Sequence, residues 1–242
     1  MKPLNALLAT ILLLTAGCTT AKQDPEWISL FNGQDLDGWI VKTKGAPSGE
    51  NPWNLFRVED GVLTVSYADF DKEKFKDEFG HIHTANAYEN YRFRCEYRFI
   101  GEQVPGGPKW AYANSGIMLG CPHPAEMGLD QKFPNSAEFQ LLGDTRTTGS
   151  LFTPGCMVTY QDQPDMKKAI KSKLPALPLG EWVKAEAVVK DGTIQHWING
   201  ELVMEYSNPR YDDGTPMISG HIALQAESHP CQFRNIEILV LD

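Results

Sequence analysis

The chain has 242 residues, 42% of them hydrophobic, with 21 glycines, 16 prolines and a formal net charge of −9. That is enough apolar material for a sizeable core. An acidic chain without a basic cluster is poorly suited to nucleic acid or an anionic membrane surface, and is compatible with neutral partners such as sugars.

Taken in order, the first element is a leader. Lys2 precedes a short apolar run, Leu7, Leu8, Ile11, Leu12, Leu13 and Leu14, which suits a signal-peptide core and is too short for a stable membrane span. It ends in Leu14-Thr15-Ala16-Gly17-Cys18, which resembles a bacterial lipobox. The resemblance implies cleavage before Cys18, diacylglycerol on its sulfur, and anchoring by lipid alone. Thr19 follows in place of Asp, which by analogy favours the outer membrane of a bacterial envelope. We therefore expect residues 1–17 to be a lipoprotein signal peptide, 18–25 a tether and 26–242 one domain.

Beyond residue 26 the pattern has period two. Tyr91, Phe93, Cys95, Tyr97 and Phe99 alternate with Arg92, Arg94, Glu96 and Arg98, as in a strand with one face on a core. Further strand-like runs are 27–31, 54–58, 62–67, 116–120, 137–142, 182–189, 193–198, 202–206, 221–225 and 232–241. Asp191-Gly192 and Asn199-Gly200 suit tight hairpins, where both central residues need positive φ. Residues 165–172 (DMKKAIKS) suggest two helical turns, and 70–79 a short helix or a charged loop. The expected fold class is all-β, a two-sheet antiparallel jelly-roll sandwich. Cys95 reads as a small core residue. Cys121 and Cys156, in loop-like stretches of an exported chain, are the better candidates for a disulfide.

Candidate site residues follow from face alternation. Glu138 and Gln140 share a strand face opposite Ala137, Phe139 and Leu141, so an apolar core beneath would leave them on a concave surface. Glu96 and Arg98 bear the same relation to their own apolar face, with surface ion pairing as the alternative. Asn114 offers a donor and an acceptor to sugar hydroxyls, or starts a turn. Gln225, Glu227 and His229 alternate and would face one way; with Glu138 they are candidate ligands for a sugar or a divalent metal ion. His81 and His83 alternate likewise. Trp53, Trp110 and Tyr112 lie in or beside loops where flat rings can stack on sugars; Trp39, Trp182 and Trp197 suit core or hairpin positions.

Leu30-Phe31-Asn32-Gly33-Gln34-Asp35-Leu36-Asp37-Gly38-Trp39 resembles the opening signature of a bacterial family, the 3-keto-disaccharide hydrolase domain family. In order there follow Asn90–Arg98 (NYRFRCEYR), Asn114-Ser115-Gly116-Ile117, Glu138-Phe139-Gln140, Gly180-Glu181-Trp182, Trp197-Ile198-Asn199-Gly200, the segment 220–225, and Phe233-Arg234-Asn235-Ile236. Together they cover residues 30–241. Where the family often has a histidine two residues after the glutamine of its LQ motif, this chain has Glu227, with His229 nearby. The resemblance implies a concanavalin A-like fold and action on sugars oxidised at C3. The expected chemistry is abstraction of the acidified C2 proton by Glu138, Glu227 or His229, with Glu96 a further candidate. Asn114, Gln140, Gln225, His83, Arg98 and Trp110 would bind substrate. A non-catalytic carbohydrate-binding lipoprotein is the alternative, and a conventional glycosidase a third.

Overall fold

The computed structural model describes residues 26–167 and 169–242; the expected signal peptide, Cys18 and the expected tether lie outside them. Sixteen strands follow one another: β1 (Ile28–Ser29), β2 (Trp39–Thr43), β3 (Phe56–Glu59), β4 (Val62–Val65), β5 (Gly80–Thr84), β6 (Tyr91–Phe99), β7 (Asn114–Cys121), β8 (Ala137–Leu142), β9 (Leu151–Phe152), β10 (Cys156–Tyr160), β11 (Gln163–Met166), β12 (Val183–Lys190), β13 (Thr193–Ile198), β14 (Glu201–Tyr211), β15 (His221–Ala226) and β16 (Cys231–Val240). Ten form a large antiparallel sheet in the order β11-β10-β14-β13-β12-β6-β16-β4-β3, with β1 beside β16. Six form a small antiparallel sheet, β2-β5-β15-β7-β8-β9. The fold is the expected two-sheet sandwich.

The inner faces are apolar. Phe93, Tyr97, Phe233 and Ile238 of the large sheet and Ile82, Ile117, Phe139 and Leu224 of the small sheet belong to one buried cluster. Each such side chain contributes about 1.5–3 kcal/mol on burial. Cys95 is in this core, as expected. His196 stacks flat on Phe139, ring centroids 4.1 Å apart, and bonds Tyr206 Oη at 3.0 Å and Gly149 O at 3.2 Å. Both expected tight hairpins are present, with positive φ at Asp191, Gly192, Asn199 and Gly200.

One sequence expectation, the helix at 165–172, fails for a tertiary reason. Residues 163–166 form β11 against β10, and Ile170 exchanges backbone hydrogen bonds with Leu151 at 2.8 and 2.9 Å. Met166, Ile170 and Leu174 pack on the core from this extended strap, so pairing with β9 and β10 overrides a local helical preference. Of the two alternatives for 70–79, the charged loop is the one present; Phe75 N–H donates to Pro105 O at 2.8 Å. Cys121 and Cys156, the candidates for a disulfide, do not form one. Both residues lie on strands and all four described cysteines are free and buried. Cys156 Sγ donates to Ser136 O at 2.9 Å and Cys121 Sγ to Met118 O at 3.5 Å.

The small sheet is unusual in being buried on both faces. Its inner face meets the large sheet. Its concave face is partly roofed by the loops before β5 and between β6 and β8. Lys42, buried on β2, holds one of these down: its ammonium donates to Thr43 O, Ala46 O and Leu129 O at 3.0, 2.9 and 3.1 Å.

Candidate active site

On β8, Ala137, Phe139 and Leu141 point into the core and Glu138 and Gln140 point the other way. These two line a cavity of about 560 Å³ with Asn114, Glu227, Arg146, Phe133, Phe152 and Trp110. Gln140 Nε2 donates to Ser115 O at 3.2 Å and to Asn114 Oδ1. Asn114 Nδ2 donates in turn to Trp110 O at 3.1 Å. The amide side chains are thus fixed, and Trp110, 51% exposed, forms the lip.

Gly116 lies between Glu138 and Gln225. It pairs with Gln140 on β8, and a Cβ built on it would sit 2.8 Å from Glu138 Oε1 and 3.1 Å from Gln225 Oε1. Glycine here lets the two side chains lean over the β7 backbone. Glu227 follows β15 in the turn toward β16, and Ser228 at its centre has φ of 77°. That turn is tied down: Ser228 N–H donates to Tyr67 Oη at 2.6 Å, Gln103 Nε2 to Ser228 Oγ at 2.8 Å, and Val104 N–H to Ser228 O at 2.9 Å.

Burial governs the charges. Desolvation raises the pKa of Glu138 above the carboxylate range. It raises that of Glu227 further, because Glu138 adds like charge, while the Arg146 guanidinium opposes the rise. Two neighbouring buried carboxyls cannot both ionise readily, so the pair retains a proton at neutral pH. Arg146 is held by Trp110 O at 2.7 Å and Ala113 O at 3.2 Å. His229 accepts from Ala113 N–H on Nδ1 at 3.1 Å. Its ring lies between Phe99 and Tyr112, with centroids 5.7 and 5.0 Å away, and burial lowers its pKa to about 4. It is a neutral neighbour of the cavity and not part of its lining.

The sequence candidates therefore divide. Glu138, Glu227, Gln140, Asn114 and Trp110 come together. Gln225 lies across Gly116 from Glu138, and His81 and His83 are buried farther along the same face. Glu96 and Arg98 do not join them. Their strand is in the large sheet and its polar face looks away from the small one: Glu96 pairs with Arg234 at 2.7 Å, and Arg98 donates to Gln232 at 2.8 Å and stacks on Trp182 at 4.5 Å. This is the ion-pair alternative. Trp39 is core, whereas Trp182 and Trp197 flank that outer face. Trp53 donates to Asp71 at 2.6 Å, away from the cavity. Among the described residues no three His, Cys, Asp or Glu side chains are arranged to hold a metal ion. His229 accepts a backbone N–H on Nδ1, which leaves its proton on Nε2, so Glu138, Glu227 and His229 do not fit as a cation cage. Arg146, Phe133 and the spacing role of Gly116 escaped sequence reasoning. The available signal was a lone arginine in a Gly/Thr-rich loop directly after the Glu-x-Gln strand.

The same fold occurs in known proteins. A curated 3-keto-disaccharide hydrolase of Bacteroides thetaiotaomicron is 22% identical over 240 residues, covering 89% of this chain and 79% of that protein. A crystal structure of a glycosyl hydrolase candidate from Parabacteroides distasonis ATCC 8503 superposes with a TM-score of 0.58 at 21% identity, over 89% of this chain and 94% of that one. A Bacillus licheniformis β-glucanase gives 0.52 at 9% identity, over 92% of this chain and 100% of that one, a likeness of fold alone. The profile of the 3-keto-alpha-glucoside-1,2-lyase-like domain matches residues 26–239, and the chain belongs to that family.

Proposed function

We propose that the cavity cleaves glycosides oxidised at C3, with Glu138 as general base and protonated Glu227 as general acid. The observation that carries this reading is the pair of adjacent buried carboxyls with raised pKa values beside an arginine. Recognition alone does not require two converging acids that share a proton. The C3 carbonyl acidifies the C2 proton. Glu138 removes it, and the electrons pass into an enolate whose oxyanion is stabilised by Arg146 and the second N–H of the Asn114 amide, which Gln140 holds in place. The enolate then re-forms the carbonyl as the C1–C2 double bond forms and the C1–oxygen bond breaks. Glu227 supplies the proton that the departing oxygen needs. Addition of water across C1–C2 completes net hydrolysis. Trp110 offers a flat, exposed ring for sugar stacking.

The names and folds of the relatives support a carbohydrate substrate. Incubation with 3-keto-trehalose tests the assignment. Glu138→Gln is expected to lower turnover by about 10²–10⁴-fold, and unoxidised trehalose should remain intact. Equal rates for variant and parent would remove Glu138 from the chemistry. Lipidation at Cys18 and an envelope location are also proposals, resting on Leu14–Cys18; Cys18→Ser should abolish acyl labelling, and persistent labelling would refute them.

A further inference from the structure

Among the described residues, eight of the ten buried side-chain nitrogen and oxygen atoms without a hydrogen-bond partner belong to His81, His83, Gln225, Glu227 and His229. Leaving such an atom unpaired costs about 1–3 kcal/mol, and folds rarely keep several on one face without a partner for them. Glu227 and His229 adjoin the cavity already described. His81, His83 and Gln225 are fully buried and lie farther along the same face. His81 pairs with Gln225 across β5 and β15, and Gln225 stands across Gly116 from Glu138. A polar row therefore runs from the carboxyls into the interior of the concave face.

Phe133 divides the two regions. It lines the cavity on one side. On the other, its ring meets His81 edge-on at 6.0 Å between centroids, and it packs on Phe79 at 5.1 Å. From this arrangement we infer that His81, His83 and Gln225 form a subsite behind Phe133, continuous with the cavity, that receives the hydroxyl groups of a neutral sugar ring when Phe133 turns aside. The carbohydrate class rests on the proposed function; the existence of a polar ligand site rests on the orphan atoms.

The chemistry selects a neutral ligand. Burial keeps both imidazoles uncharged, so each presents one donor and one acceptor, and the Gln225 amide presents both kinds. Sugar hydroxyls match that set. A carboxylate or phosphate would need a cation at this end of the row; the nearby Lys42 ammonium is already taken by three carbonyls, and Arg146 sits at the carboxyl end, held by Trp110 O and Ala113 O.

The test uses the intact protein with ¹⁵N-labelled histidine. Trehalose or methyl glucoside should shift the His81 and His83 imidazole signals, and methyl glucuronide should not. His81→Leu and Gln225→Leu should each raise KM for 3-keto-trehalose by roughly tenfold, without lowering Tm, since an orphan polar group is removed. Unmoved imidazole signals, an equal response to the glucuronide, or unchanged KM in both variants would overturn the subsite. Cleavage of 3-keto-trehalose with silent imidazoles would sink the subsite and leave the proposed reaction standing. Shifted imidazoles without cleavage would do the reverse.

Discussion

At the residue scale the carboxyl pair sets a sign that can be measured. In the fold Glu138 keeps its proton above the usual carboxylate range, while in the unfolded chain it ionises near pH 4.5. The unfolded state therefore gains by ionising as pH climbs from about 4.5 through the folded pKa, and stability falls across that window. Glu138→Gln removes the penalty. We expect its Tm to exceed that of the parent at pH 8 and to equal it at pH 4; the same difference at both pH values would refute burial as the cause. Gly116→Ala probes geometry. The added Cβ meets the far ends of two flexible side chains, Glu138 and Gln225. Turnover of 3-keto-trehalose should fall by at least roughly tenfold, because a displacement of about 1 Å at a reacting group is costly, with little change in Tm. Unchanged turnover would show that the carboxyl does not need its position.

At the element scale the roofing loop depends on one buried ammonium. Lys42→Met keeps the stem and deletes the donors, leaving Thr43 O, Ala46 O and Leu129 O without this partner. The expected loss is about 1–3 kcal/mol in chemical denaturation, with faster amide exchange at Gly45, which donates to Leu129 O at 2.8 Å. A variant within about 0.5 kcal/mol of the parent would mean that water replaces the lysine. The strap at 163–172 belongs to the same scale. Its composition suits a helix, but Leu151 presents backbone groups that Ile170 satisfies, and local preference of a few tenths of a kcal/mol per residue cannot compete with that.

At the scale of the molecule, buried neutral histidines govern acid stability. Burial lowers the pKa of His83 and His196 to about 3 and that of His229 to about 4. These groups are neutral in both states above pH 6.5. As pH falls from there toward 3–4, the unfolded chain binds protons that the fold refuses, and stability is lost. A urea series at pH 7, 5.5 and 4 should show this decline. His196→Phe can keep the flat contact with Phe139 and should flatten the slope by about one proton; an unaltered slope would place the acid sensitivity elsewhere.

Period-two alternation, the Asp-Gly and Asn-Gly turns and the ordered motifs sufficed for the fold class, the hairpins, the family resemblance and the outward aim of Glu138 and Gln140, because a strand's two faces follow directly from residue spacing. Alternation cannot say which sheet a strand joins. Glu96 and Glu138 obey the same pattern, yet one belongs to an outer-face ion pair and the other to an enclosed cavity. The roof over the small sheet, the proximity of Glu138 to Glu227, the arrival of Arg146 from a loop and the burial that retains a proton all depend on segments far apart in the chain, so only tertiary packing decided them.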